Sequence, residues 1–184
     1  FQPSTTPDLV HRYFNEKGFN VDKRWGGSVR DYFVDQSYGL FSPKFQIVGK
    51  VKLPKSRAYY GQNSGSSAHV NVDEFYQNAV RQALQLGVSF ETFKTTQQNI
   101  PLVILYFAGA SENSALESGS EDYLWSAFKE SPYNIDGHSF QSYLVVGELI
   151  NHYKSENGKL LRDAQKNPIV DYAELEGPGV KCHE

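Results

Sequence analysis

The run Ile100-Pro101-Leu102-Val103-Ile104-Leu105-Tyr106-Phe107 constrains the fold more than any other stretch of the chain. A continuous apolar segment has no polar face to offer water, so it must be covered on both sides. It is too short for a buried helix and rich in β-branched and aromatic residues, so it predicts a central strand. A strand of that kind needs helices to cover it.

The chain supplies them. Thr6 can cap a helix, with Pro7 at its first position and Asp8 complementing the dipole. Leu9, Val10, Tyr13 and Phe14 form its apolar face, and Gly18 ends it. After the turn Gly26-Gly27, Ser28-Val29-Arg30-Asp31 resembles a capping box with Asp in place of Glu. Val29, Tyr32 and Phe33 share one face of that second helix, and Gly39 stops it. Asn71, with Glu74 three residues on, opens a third helix with the stripe Phe75, Ala79, Val80, Ala83 and Leu84, ended by Gly87.

Two further strands are expected. Phe45, Ile47, Gly49, Val51 and Leu53 alternate with Gln46, Val48, Lys50 and Lys52, which predicts a half-buried strand ended by Pro54. Phe140 to Val146 is the other. Gln62–Ala68 and Ala108–Ser120 read as loops, the stretch from Lys154 to Asn167 has no clear period, and Pro178 is placed to start a last helix. The order predicts an α/β fold of the α+β type, a mixed twisted sheet packed against helices. No repeat or linker divides residues 1–184, so a single domain is expected.

A net charge of -3 without clustered Lys or Arg excludes a nucleic-acid partner. Lys50, Lys52, Lys55 and Arg57 alternate with apolar or turn residues, as on a strand's solvated face. No apolar stretch is long enough to span a membrane. Aromatics reach 14%, with 12 Tyr and 12 Phe, which suits an aromatic core or an exposed binding cleft. Cys182 is the only cysteine, so no intrachain disulfide forms and compartment is not legible from it. Met is absent, initiator included, as expected of a mature or excised piece.

The sequence closes on Val180-Lys181-Cys182-His183-Glu184. His-Glu is the first half of H-E-x-x-H, in which two His one helical turn apart bind one Zn²⁺ and the Glu takes a proton from the water the metal activates. A dipeptide alone is weak. Longer blocks support it. Gly27-Ser28-Val29-Arg30-Asp31-Tyr32-Phe33 with Gln36-Ser37-Tyr38-Gly39 closely resembles the GSVRDYF-x-x-QS-x-G stretch of immune inhibitor A type zinc metallopeptidases, which are secreted bacterial zincin-like enzymes. Phe45–Leu53 with Tyr59-Tyr60-Gly61 is similar to that family's strand and YYG turn. Val103–Gly109 is similar to its central strand, and Gly177–Glu184 to its G-x-G-x-x-CHE run into the zinc helix.

The resemblance implies a zincin-like catalytic domain, cut at both ends, that acts on protein or peptide substrates outside the cell or on its surface. It implies His183 as first zinc ligand, Glu184 as catalytic base, and Cys182 as a neighbour rather than a nucleophile. His11, His69, His138 and His152 fall on no family motif and read as surface or loop residues. Two departures stand out. Where the family often carries an acidic loop suited to calcium, this chain has Phe93-Lys94-Thr95-Thr96-Gln97-Gln98-Asn99, without a carboxylate. Where the family has Trp-Pro-His, this chain has Leu124-Trp125-Ser126-Ala127. Catalytic zinc needs three protein ligands, so the isolated chain is expected to be inactive. The alternative is a degenerate family member that binds peptides or glycans through its aromatic surface. Cleavage specificity and oligomeric state leave no trace in the sequence.

Overall fold

The computed structural model describes residues 1–19, 27–65, 69–116 and 120–175. The Gly26 end of the expected turn and the whole of Gly177–Glu184 lie outside them. Helices and strands alternate in an α/β arrangement, and two compact units form, residues 1–50 and 51–174.

In the first unit, α1 spans Pro7–Asn15 and α2 spans Val29–Gln36. Both start where the capping residues predict. The Thr6 hydroxyl accepts from the Leu9 N–H, and Val10, Tyr13 and Phe14 are buried. Ser28 and Asp31 close the full reciprocal capping box. Phe45 brings the following chain against both helices, its ring 5.2 Å from Phe14 and 6.5 Å from Phe33.

The expected strand at 45–53 does not form a ladder. Residues 41–53 carry no regular structure, although Phe45, Ile47, Val51 and Leu53 are half-buried and Gln46, Val48 and Lys52 exposed. The alternation was a true sign of inside and outside, but it does not supply a partner strand. At Phe45 a side chain takes that part: Asn15 donates to its carbonyl (2.9 Å) and accepts from its N–H (2.8 Å). One amide group thus satisfies both backbone groups, as a neighbouring strand would.

The second unit holds α3 (Arg57–Gly61), α4 (Val72–Gln85) and the main sheet. The Tyr59-Tyr60-Gly61 stretch, expected as a turn, is the end of α3, which Ser56 caps. Asn71 sits at the N-cap of α4 without capping it; its Nδ2 donates to the Tyr59 carbonyl instead (2.8 Å). In the sheet, β1 (Asn99–Ile100) and β2 (Val103–Ala110) run parallel to β4 (His138–Tyr153), and β3 (Ala127–Ile135) pairs with it antiparallel. Beyond them, β5 (Ser155–Glu156) and β6 (Lys159–Leu160) make a small hairpin, and β7 (Val170–Leu175) returns to β4.

The central strand is therefore β4, not the apolar run. β1 and β2 share one register against it (Ile100↔Phe140, Val103↔Tyr143) and are one edge interrupted at Pro101-Leu102. Proline lacks the N–H a central strand needs, which fits an edge position. The Ser142 hydroxyl picks up the stranded Pro101 carbonyl at 2.6 Å. Consistent with an edge, Val103 to Tyr106 are only half-buried.

β3 and β4 meet at Asp136-Gly137, with φ of 49° and 85° and Ile135 opposite His138. That is a two-residue turn with both centres left-handed, the geometry that matches strand twist. The register slips once in β3, between Glu130 and Tyr133, where Pro132 fits a bulge without breaking a ladder. The core lies between α4 and the sheet: Tyr76 stacks on Tyr143 at 4.4 Å, with Phe75, Val80, Phe107, Phe140 and Val145 around them.

Candidate functional site at the end of β2

His183 and Glu184, the zinc ligand and base implied by the resemblance, lie outside the described residues, as does Cys182. Three other stretches named in the sequence, Tyr59–Gly61, Ala108-Gly109 and Leu124-Trp125, come together within the second unit, around the carboxyl end of β2. In sheets with parallel strands, that end is where loops gather functional groups.

The local chemistry starts with a slip in the ladder. Phe107 pairs with Gly147 but Ala110 with Leu149, so β2 carries one extra residue. Gly109 takes φ +88° there, and its N–H is accepted by Glu148 Oε2 at 3.0 Å. Glu148 is 1% exposed, a carboxylate enclosed beside the bulge. Above it, the Arg57 guanidinium donates to the Ala110 carbonyl (3.0 Å) and lies 3.6 Å from the Tyr123 ring centre. A side chain at 109 would run into that guanidinium, with a Cβ 2.7 Å from Nη1. Gly61 is as constrained: a Cβ there would overlap the Tyr123 carbonyl and come 2.5 Å from the Asp122 oxygen. Gly61 needs glycine for close backbone approach, and Gly109 for its left-handed backbone.

At the outer rim, His69 Nε2 lies 2.8 Å from Glu112 Oε2. A carboxylate only accepts, so Nε2 carries the proton shared in this contact. His69 holds a left-handed backbone (φ 51°), fixed by its N–H to Asn63 Oδ1 at 3.0 Å. Asn63 in turn donates to the Glu121 carbonyl at 2.6 Å. The Trp125 ring stands edge-on to His69 at 5.6 Å and is 48% exposed. The result is an oriented imidazole beside an accessible indole, with a carboxylate behind it.

A second polar cluster sits under α4. Asp73 accepts from Lys129 (2.6 Å) and the Tyr143 hydroxyl (2.8 Å), and from Tyr133. Burial works against its charge, but these donors win and hold the carboxyl below its ordinary value. Burial first, and then Asp73, push the Tyr143 phenol well up.

Among the described residues no three His, Cys, Asp or Glu side chains converge into a group able to hold a metal. Zinc would have to be held from outside them, with His183 as the implied first donor. His11 lies exposed on α1, His138 packs against Phe90 at the start of β4, and His152 stacks on Tyr172 at 4.3 Å. The 93–99 loop is closed on itself, Thr95 Oγ1 donating to Asn99 Oδ1 at 2.6 Å.

The His69–Glu112 pair escapes sequence reasoning because its partners are 43 residues apart with no local pattern. Glu148 was findable: a single acid inside Leu144-Val145-Val146-Gly147-Glu148-Leu149-Ile150 must be buried for a reason. No protein-family model matches the chain, and no curated protein matches it.

Proposed function

We propose that this chain is part of a zinc-dependent endopeptidase of the immune inhibitor A type, with a zincin-like domain, secreted or held at the cell surface. One observation carries the reading. Two stretches that resemble the family's, Tyr59–Gly61 and Val103–Gly109, lie far apart in the chain yet meet at one end of β2, where Gly61 has no room for a side chain and Gly109 takes a left-handed backbone.

In this reading His183 supplies the first imidazole to the metal and Glu184 holds the proton lost by the attacking water. Zinc, when bound, would polarise the scissile carbonyl and make that water reactive. Within the second unit, Arg57, Glu148 and the Gly109 bulge lock the end of β2, and the half-exposed Trp125 offers an apolar surface to a peptide. The 184 residues provide one imidazole of the motif's pair, so this polypeptide by itself should bind zinc weakly and cleave nothing.

The reading frame beyond Glu184 is the direct test. Two residues followed by His complete the motif. A polypeptide extended through that His and the further ligand the site needs should then bind zinc and hydrolyse casein, and Glu184→Gln should keep the metal while abolishing hydrolysis. A frame without that His would sink the peptidase reading. The half-exposed Trp125 beside His69 and Glu112 would then favour a peptide- or glycan-binding module.

A further inference from the structure

Tyr38 and Leu40 are 95% and 91% exposed, far more than the other large apolar side chains among the described residues. They flank Gly39 at the tip of the turn that follows α2, and Phe41, 53% exposed, continues the apolar surface. Isolated exposed apolar residues need no explanation, but contiguous ones on a fixed tip do.

The tip is fixed. The four amide N–H groups of residues 38–41 are all used locally: Tyr38 to the Asp35 carbonyl, Gly39 to Val34, Leu40 to Ser37, and Phe41 to the Ser37 hydroxyl. Ser37 also donates back to the Phe41 carbonyl. Below, Phe41 packs edge-on to Phe33 at 5.6 Å, and Phe33 lies 6.5 Å from Phe45. Two apolar side chains therefore stand outward on a rigid aromatic base, with their backbone donors already satisfied. A segment entering a medium without water needs those properties, because an unpaired N–H there is costly.

The charge around the tip points the same way. From Ser37 to Lys50 the chain carries Lys44 and Lys50 and no acidic residue, in a protein whose net charge is -3. Lys44 and Lys50 are exposed. Arg30 donates from Nε and Nη2 to Ser42 Oγ at 3.0 and 2.9 Å, which sets its guanidinium next to Phe41. Asp35 is the acidic residue nearest the tip in sequence.

We infer that the Tyr38–Phe41 tip is an interfacial anchor that inserts into an anionic lipid surface. Leu40 and Phe41 enter the acyl boundary, Tyr38 sits at headgroup level with its hydroxyl in water, and the cations contact lipid phosphates and carboxylates. Such a small apolar tip gives reversible docking rather than permanent insertion. The inference goes beyond the proposed peptidase activity, and its readout needs neither metal nor hydrolysis.

The test is co-sedimentation of the 184-residue chain with vesicles of phosphatidylcholine containing about 30% phosphatidylserine, against phosphatidylcholine alone. Binding is expected to the anionic vesicles. Leu40→Ser should weaken it by roughly tenfold. Tyr38→Asn should weaken it too, without harm to the fold, because Asn accepts the left-handed backbone at φ 53°. Lys44→Gln with Lys50→Gln should remove the preference for anionic lipid. No binding to either vesicle, or binding that both tip variants leave intact, would overturn the inference. So would concentration-dependent dimers that the tip variants abolish without any lipid binding, since the tip would then be a contact between copies.

Discussion

Replacing Gly61 with Ala sets one steric contact against a known gain in helix propensity. Gly61 ends α3 with an ordinary helical backbone, so alanine is not strained there and gains about 1 kcal/mol of helix propensity. Against that, its Cβ would be driven into the Asp122–Tyr123 backbone, where the Asp122 oxygen is 2.5 Å away. Neighbouring backbone cannot rotate aside as a side chain can. Inserting a carbon into packed surroundings costs typically 1–3 kcal/mol, and the upper end applies here. The net expectation is destabilisation by about 2 kcal/mol. With a urea dependence near 2 kcal/mol per molar, the midpoint should fall by about 1 M with unchanged slope. Trp125 fluorescence reports the right region, measured in a Trp25→Phe background. A midpoint equal to or above the parent's would mean that α3 does not pack against Asp122-Tyr123, and the reasoning would fail.

Tyr76 is fully buried and its hydroxyl has no hydrogen-bond partner among the described residues, so Tyr76→Phe should be neutral or stabilise by up to about 1 kcal/mol in the same urea assay. Asp31 is held below its ordinary value: burial opposes the charge, but the Ser28 and Gly18 N–H groups and the Ser28 hydroxyl outweigh it. Its folded value is depressed, so its stabilisation is full above the unfolded carboxyl value of about 4 and is lost as pH falls through the lower folded value. Asp31→Asn should flatten that acid limb in far-UV circular dichroism, and an unchanged limb would count against the capping box. Gly137→Ala puts a Cβ on a residue at φ 85° and should cost about 1 kcal/mol or more in thermal unfolding, whereas Asp136→Asn, equally tolerant of φ 49°, should cost nothing measurable.

Helix starts were the most legible part of the fold, although Asn71 does not cap α4 with its side chain. The Thr6 cap and the Ser28–Asp31 box act within four residues, so the local sequence contains both partners. Strand roles were less so, because a ladder depends on residues far away. Ile100–Phe107 carries the apolar content of a central strand, yet Pro101 was the better guide and places it at an edge. Phe45–Leu53 has the alternation of a strand but finds Asn15 rather than another strand. Ala127–Ile135 is a strand that its polar, Pro132-containing sequence hides; Asp136-Gly137 was the available signal. At the end of β2 the glycines and Trp125 were visible as a pattern, but the charges that lock them were not. Arg57, Glu148 and the His69–Glu112 pair act across 39 to 53 positions of sequence.

β4 touches every other strand of the main sheet, and it does so over very different separations. Its antiparallel partner is two residues away through Asp136-Gly137, while β2 pairs at an offset of 40 positions (143 minus 103) up to its bulge. Closing the longer loop costs about 3 kcal/mol more in chain entropy by logarithmic scaling. The order of assembly follows: the hairpin forms first and serves as the template on which β2 docks later. During that interval the β2-facing edge of β4 stands open, with Tyr143, Val145 and Val146 uncovered, and another chain could pair there. Pulsed hydrogen exchange would show protection in β3 before β2, and simultaneous protection would contradict this order. The strand that organises the native sheet is thus also where the nascent protein is most open to aggregation.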